Sequence, residues 1–333
     1  MKASIIIVNF NSGDHLKRCL QSVVKHTATS DYEVWIIDNH SKDHSLNCLS
    51  DFPKYPIHLL ANNINLGYAK ACNQGLRRAT GDLIVTMNPD VIVGPDWLSR
   101  LAYHLQAKSV MIVGPMSLGI GGKQWAGPLR FPENLEAANR WFYRQNRHQY
   151  QPAKFLIGCL MLMKRNLLEQ IGFLDENMLL GADDFDLSLR VRQAGYELRI
   201  ARDVLVRHVC HVSFGHPDEH THALAESSWT NFKKKWEAVL NQYDWDDLFE
   251  NERSLWYHPK QLEAKENQDE YIRRKNAPPG GGPRTYPQGA REENPLIPYT
   301  FSQRGSFRFG PQCYPSHGTD SVVGRLRRRT SSQ

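Results

Sequence analysis

Asp90 closes an apolar run of strand length, residues 83–87, through the turn pair Asn88-Pro89. A buried strand that stops at an acid places that carboxylate at the carboxyl edge of a sheet, where open α/β folds bind ligands. A hard carboxylate oxygen there suits a divalent cation and a phosphate-bearing substrate. Taken alone, Asp90 reads equally as a turn acid or a helix cap ahead of Pro95.

The second half of the chain holds Asp183, Asp184 and Asp186 just before Leu187, Leu189 and Val191. Capping and the helix dipole explain at least one of these acids. Three in four positions exceed what capping requires, and packed like charges raise one another's pKa, which suits a carboxylate to act as a base. Arg190 and Arg192 can offset the cluster as ordinary ion-pair partners. Of the histidines at 208, 211, 216, 220 and 222, only His208 ends a strand-like run, so it alone is placed in the crevice. Their spacings match no common zinc pattern.

Other polar groups fall after other strand-like runs. Asn9 and Asn11 follow the first, and Asp38 ends the second. Asn65, Gly67 and Asn73 open a helix-like segment. Asp38 can accept hydrogen bonds from a base N–H or a ribose hydroxyl, or it can cap the next turn with Asn39 and Ser41. Asn65-x-Gly67 can open a helix whose free N–H groups face phosphate, although an ordinary helix start with a glycine turn is the simpler reading.

These groups need a frame. Residues 4–9, 33–38, 57–60, 83–87 and 110–113 read as strands, and 13–26, 43–52, 67–79 and 95–106 as helices between them. That alternation predicts a mainly parallel sheet with helices on both faces. Residues 117–152 lose the pattern and read as a long loop or lid, with Trp125, Trp141 and Tyr143 available to stack on sugar faces or to pack on the body. Residues 155–164 regain strand character, 184–194 are helical, 197–200 and 204–209 are strands, and 222–241 are helical.

The composition is that of a soluble globular protein, with 41% hydrophobic and 23% charged residues in 333. No apolar run reaches membrane-spanning length. The six scattered cysteines read as reduced thiols of a cytoplasmic protein. The net charge of +6 resides in residues 258–333, which hold 13 Lys/Arg against 7 Asp/Glu. Residues 277–333 contain 8 Pro and 8 Gly. The expected organisation is therefore a catalytic domain over 1–257 and a basic, disordered tail over 258–333. The tail reads as a solvated extension, suited to weak contact with an anionic membrane surface and not to a nucleic-acid role.

Together, in order and spacing, the motifs resemble the family 2 glycosyltransferases of the rhamnosyltransferase-like bacterial type, over roughly residues 3–240. The resemblance rests on residues 4–12, Asp38-Asn-x-Ser-x-Asp-x-Ser, Asn65-x-Gly-Tyr-Ala-x-Ala-x-Asn73-x-Gly, Asn88-Pro-Asp90-Val, Asp183-Asp184-x-Asp186-Leu-x-Leu-Arg and His208-x-x-x-x-Ser213. It implies a GT-A fold and a nucleotide-diphosphate-sugar donor. Asp38 would recognise the base, with Asn9, Asn11, Asn65, Gly67, Asn73 and Asn88 lining the donor site. Asp90 aligns with the last acid of the family's DXD-type motif, whose first acid is Asn88 here, and His208 would be a further ligand of Mg²⁺ or Mn²⁺. Asp183-Asp184 stands where the family usually has Glu-Asp, so Asp184 would be the general base, flanked by Asp183 and Asp186.

The implied reaction is an inverting sugar transfer to a hydroxyl of a glycan or lipid-linked acceptor, in cell-surface polysaccharide or glycan synthesis, at the cytoplasmic face of the membrane. Two rivals are a sugar-nucleotide nucleotidyltransferase and a non-catalytic sugar-nucleotide-binding protein. The first expects a basic glycine-rich loop after strand one, which residues 9–14 lack. The second expects loss of Asp90 or Asp184, and both are present.

Overall fold

The computed structural model describes residues 2–126, 134–209, 219–243, 248–249, 299–301 and 307–309. The chain divides into two units, Met1–Pro295 and Leu296–Gln333. In the second, Tyr299–Phe301 pairs antiparallel with Phe307–Phe309. The rest of the basic tail, like Ser213 and the histidines at 211 and 216, lies outside the described residues.

The first unit is built on a nine-stranded sheet. In chain order its elements are β1 (Ala3–Asn9), α1 (His15–His26), β2 (Tyr32–Asp38), β3 (Ile57–Ala61), α2 (Tyr68–Leu76), β4 (Leu83–Met87), β5 (Val91–Ile92), α3 (Trp97–His104), β6 (Val110–Leu118), α4 (Leu135–Asn146), β7 (Tyr150–Ala153), β8 (Leu160–Lys164), α5 (Arg165–Ile171), α6 (Asp183–Gln193), β9 (Glu197–His208), α7 (Glu219–Lys235) and α8 (Glu237–Leu240). Short 3₁₀ turns lie at Thr29–Asp31, Ser45–Asp51 and Gly122–Gln124.

The sheet order is β3-β2-β1-β4-β8-β6-β9-β5, with β7 also on β9. β1 to β4, β6 and β9 run one way, and β5, β7 and β8 run the other. The parallel frame expected from the sequence is present, and antiparallel strands extend it. Side chains alternate across the pleat. Ile5 and Ile7 of β1 join one apolar cluster with Leu16 and Leu20 of α1 and Leu101 of α3. Ile6 and Val8 join the other, with Cys72 of α2, Leu167 of α5 and Leu187 of α6. Helices therefore cover both faces, and β1 and β4 read as near-continuous apolar runs because they are buried on both sides, whereas the edge strand β3 is largely exposed.

Three expectations need correction. Residues 135–146 form α4 and not a lid. Its N-cap Asn134 accepts from the amides of Glu136 and Ala137, and Ala138 and Phe142 bury against the second cluster. Asn139 bonds the Leu205 carbonyl at 2.6 Å, and this buried polar anchor hides the helical period. Tyr143 packs on the body, under the Arg100 guanidinium at 3.9 Å. Residues 155–159 are irregular, and the strand begins at Leu160. Finally, the two strands read at 197–200 and 204–209 are one, β9, interrupted by a bulge: Pro115 pairs Ala201, yet Met116 pairs Leu205.

Candidate active site

The parallel register aligns the carboxyl ends of the first strands, with Asn9 beside Asp38 and Asp38 beside Ala61. Asp38 is buried and works first as a turn cap. Its Oδ1 accepts from Asn9 Nδ2 at 2.8 Å and Ser41 Oγ at 2.6 Å, and its Oδ2 accepts from Ser41 N at 3.1 Å. One acceptor position on Oδ2 remains. Asn11, at φ 47, receives the Lys42 amide on Oδ1 at 2.8 Å and gives its own amide to Ser41 Oγ at 3.0 Å. Asn9, Asn11 and Asp38 thus form one network.

Asn39, unremarked in the sequence beyond its turn role, continues that network. Its Nδ2 donates to Asn65 Oδ1 at 2.6 Å and to the Gly67 carbonyl at 3.2 Å, while its Oδ1 accepts from Leu66 N at 2.9 Å. The only local signal for it was the Asp-Asn doublet at the strand end. Asn65 remains exposed at the mouth.

Asn9, Gly67 and Asn73 do not offer groups to a ligand as expected. Asn9 is fully buried, and its amide is spent on Asp38 and Ser45. Asn73 faces inward from α2, bonding the Leu174 carbonyl at 2.9 Å, Glu176 Oε1 at 3.0 Å and the Leu174 amide at 3.0 Å. Gly67, at φ 79, lets the chain pass the Leu179 backbone, where a Cβ would meet Leu179 O at 2.8 Å. The first amides of α2 are also taken, Gly67 N by Asn65 Oδ1 and Tyr68 N by Leu179 O. The phosphate reading of this helix start gives way to the ordinary one.

The turn after β4 carries Asn88 and Asp90. β5 pairs antiparallel with the end of β9, Val91 against His208, and so brings His208 to Asp90. His208 Nε2 lies 3.2 Å from Asp90 Oδ1 and 3.1 Å from Asn88 Nδ2. One ring nitrogen thus faces both strand-end residues. Among the described residues no cluster of three or more His, Cys, Asp or Glu forms a metal site. Burial, with the Asp90 charge, pushes the Cys159 thiol up to about 12, so that neighbour is not a ready thiolate ligand.

Asp183 and Asp184 open α6 after two left-handed residues, Gly181 at φ 76 and Ala182 at φ 66. A left-handed alanine stores about 1 kcal/mol of strain or more, a feature concentrated at functional sites. Asp184 is half-buried, and burial pushes its carboxyl up to about 6. Its Oδ2 accepts from Gly158 N at 3.0 Å and its Oδ1 from Phe185 N at 2.9 Å. Burial and then the Asp184 charge hold Asp183 well above the usual carboxylate range. Asp186 does not support this pair. It is fully buried and accepts from Arg190 Nε at 2.8 Å and Trp236 Nε1 at 3.0 Å, with Lys235 Nζ at 2.8 Å. Its task is to pin α6 to the end of α7. Arg190 takes the ion-pair role expected of it, whereas Arg192 reaches the carbonyls of Lys154 and Leu248.

Gly158 and Cys159 join the two halves of the site. Gly158 N holds Asp184, and Cys159 O receives the Asn88 amide at 2.9 Å. Nothing in the spacing of the Gly-Cys pair marks it beforehand.

Residues 4–172, just over half the chain, match Glycosyl transferase family 2. The chain belongs to that family. It is 24% identical over 258 residues to the uncharacterized glycosyltransferase YfnE of Bacillus subtilis (strain 168), covering 64% of this chain and 66% of that protein, just under two thirds of its length. It is 25% identical over 257 residues to the N-acetylglucosaminyl-diphospho-decaprenol L-rhamnosyltransferase of Mycobacterium tuberculosis (strain CDC 1551 / Oshkosh), covering 68% of this chain and 82% of the relative. In three dimensions it is similar to GalNAc-T7, solved with UDP, GalNAc and Mn²⁺, with a TM-score of 0.59, 18% identity, and coverage of 82% of this chain and 57% of the other. That likeness shows the fold, which is GT-A.

Proposed function

We propose that this protein transfers a sugar from a nucleotide-diphosphate-sugar to a hydroxyl of a glycan or lipid-linked acceptor, with inversion, in cell-surface polysaccharide or glycan synthesis. The observation that carries the reading is that neighbouring residues hold the two halves of the site: Gly158 N bonds Asp184, and Cys159 O bonds the amide of Asn88, two residues before the Asp90 that faces His208. The names of the two relatives and the ligands of GalNAc-T7 point the same way.

The donor nucleotide lies over the ends of β1 and β2, against the network of Asp38, Asn11 and Asn65. Asp90 and His208 fit a divalent cation, since they offer a hard carboxylate oxygen and an imidazole nitrogen 3.2 Å apart. Two protein groups leave the remaining coordination to the donor's diphosphate and water, so metal and donor bind together. When bound, Mg²⁺ or Mn²⁺ neutralises charge on the leaving diphosphate. Asn88 Nδ2 faces that same His208 nitrogen, a contact that a bound cation would replace.

Asp184 accepts the proton of the acceptor hydroxyl as the oxygen forms its bond to the anomeric carbon and the bond to the diphosphate breaks. Attack from the opposite face inverts the configuration without a covalent enzyme intermediate. A carboxyl near 6 is ionised at neutral pH yet remains a better proton acceptor than an ordinary aspartate. Burial and then the Asp184 charge disfavour ionisation of Asp183 beside it.

A lipid-linked acceptor places the work at a membrane surface. No helix among the described residues is long and apolar enough to cross a membrane, and the basic residues of 258–333 supply weak attraction to anionic lipid on the cytoplasmic side. Liposome flotation with and without residues 258–333 tests that contact, and equal flotation would remove it. The activity is tested by donor hydrolysis across UDP-, dTDP- and GDP-sugars with Mn²⁺. One donor class is expected to be consumed by the wild type and spared by Asp184→Asn. Full turnover in that variant would overturn the assignment of the base.

A further inference from the structure

A second buried acid–imidazole pair lies away from the sheet edge. His104, at the end of α3, and Asp203, in the bulge of β9, are 2% and 1% exposed. His104 Nε2 lies 2.7 Å from Asp203 Oδ1. The other carboxylate oxygen accepts the His148 amide at 2.8 Å, and Arg202 N donates to Gln149 O at 3.0 Å. Residues 148–149 join α4 to β7, and His148 is itself left-handed at φ 60. Three segments therefore meet on one carboxylate.

That carboxylate sits where the register changes. Before the bulge, β9 pairs residues 197–201 with β6 and 198–201 with β7. After it, Leu205 to Arg207 pair with Met116 to Leu118, and His208 pairs with Val91. Residues 202–204 are the excess on the β9 side. A strand that slips by one residue turns all its side chains to the opposite face. A different bulge length would take His208 away from Asp90. The segment bearing Asp90 is held by the same pair, because β5 leads through residues 93–96 into α3, whose last residue is His104.

We infer that the Asp203–His104 pair is a positioning device for the Asp90–His208 site, locking the β9 bulge at the length that brings His208 to Asp90. It acts from about 17 Å along the strand, five residues at about 3.3 Å each, and touches neither donor nor metal. Its register claim stands on the pairing alone, and its consequence for metal rests on the proposed donor site. A buried acid needs its partners, because an unpaired carboxylate in such a place is strongly disfavoured. Losing the imidazole therefore loosens the bulge before it loosens the strands on the other side.

The test is amide hydrogen exchange on the full chain carrying His104→Phe, which keeps a ring and removes the bond. Amides beyond the bulge (205–209, 116–118 and 91) are expected to lose protection by about tenfold more than those before it (197–201 and 110–113). Asp203→Asn, which still offers an acceptor to the His148 amide and an N–H to the imidazole, is expected to stay within about threefold of wild type on both sides. The Mn²⁺ concentration for half-maximal donor hydrolysis is expected to rise about tenfold in His104→Phe while turnover at saturating Mn²⁺ changes little. If the phenylalanine variant does not fold, His104→Gln takes its place in both measurements. Uniform loss of protection, no loss, or an unchanged Mn²⁺ requirement would overturn the inference. A wild type without Mn²⁺-dependent hydrolysis of any donor would instead refute the donor reading, and the exchange comparison would still decide the register.

Discussion

Gly158 donates its backbone N–H to Asp184 Oδ2 at 3.0 Å, one residue before Cys159 receives the Asn88 amide. The proposed base and the Asn88–Asp90 turn thus hang from neighbouring residues, although 94 residues of sequence separate Asp90 from Asp184. A hydrogen bond to the charged form of a carboxyl lowers its pKa. Gly158→Pro removes that donor, so the acidic limb of the rate profile is expected to move above its wild-type position near 6. An unmoved limb would show that the bond does not tune the base.

In the wild type, transfer is expected to rise with pH through about 6 as Asp184 ionises. Asp184→Asn is expected to lose about 10²–10⁴-fold in rate and the limb with it. The same shift has a stability sign. A carboxyl raised in the folded state contributes stability below its unfolded pKa, about 3.9, and loses it as pH rises through the folded value. Asp184→Asn is therefore expected to melt above the wild type at pH 8 and level with it at pH 4. A lower melting temperature at pH 8 would contradict the burial origin of the shift.

Asp90→Ala and His208→Ala each remove one of the two groups proposed to hold metal. Calorimetry with UDP, dTDP and GDP, with and without Mn²⁺, is expected to show the metal-dependent gain in affinity reduced by about tenfold (~1.4 kcal/mol) in either variant. If the gain is undiminished, these residues do not hold the cation.

Asp186 is a fully buried acid shared by Arg190, Trp236 and Lys235. Truncating it leaves buried donors unpaired, so Asp186→Ala is expected to cost about 3 kcal/mol in chemical denaturation. The pH limb of whatever folds is expected to stay in place. A moved limb with unchanged stability would return Asp186 to the catalytic group.

Asn73→Ala breaks the bonds to Leu174 and Glu176. A stability loss of about 1–3 kcal/mol is expected, with donor KM within about twofold of wild type at a temperature where the variant is folded. A large rise in KM without loss of stability would make Asn73 a donor contact after all.

The strands that form the parallel half were legible because each is an apolar run ending in polar residues, and their order follows from local alternation. Asp90, Asp184 and His208 were legible for the same reason, as unusual groups at element ends. The contacts that bring these residues together were not. The two-residue β5 is too short to leave a pattern, yet its pairing with β9 is what brings Asp90 to His208. The bulge appeared only as a gap between two expected strands. Asn9, Asn73 and Asp186 had the right residue types and chain positions, but a period along the chain does not say whether a polar side chain points at solvent or at another backbone. α4 failed differently, because its core-facing row includes Asn139, a polar residue satisfied by a carbonyl distant in sequence.

The strand-end network of Asn9, Asp38, Asn39 and Ser41 satisfies its own hydrogen bonds in the unliganded protein. A nucleotide binding there, as proposed, would meet a surface whose loops are already tied down, so little conformational entropy would be spent in receiving it. Discrimination between bases then rests on a rigid template: a base of the wrong shape cannot recruit a compensating loop movement without first breaking bonds the chain makes to itself. The proposed donor half of the site is, in this sense, built for selectivity more than for breadth.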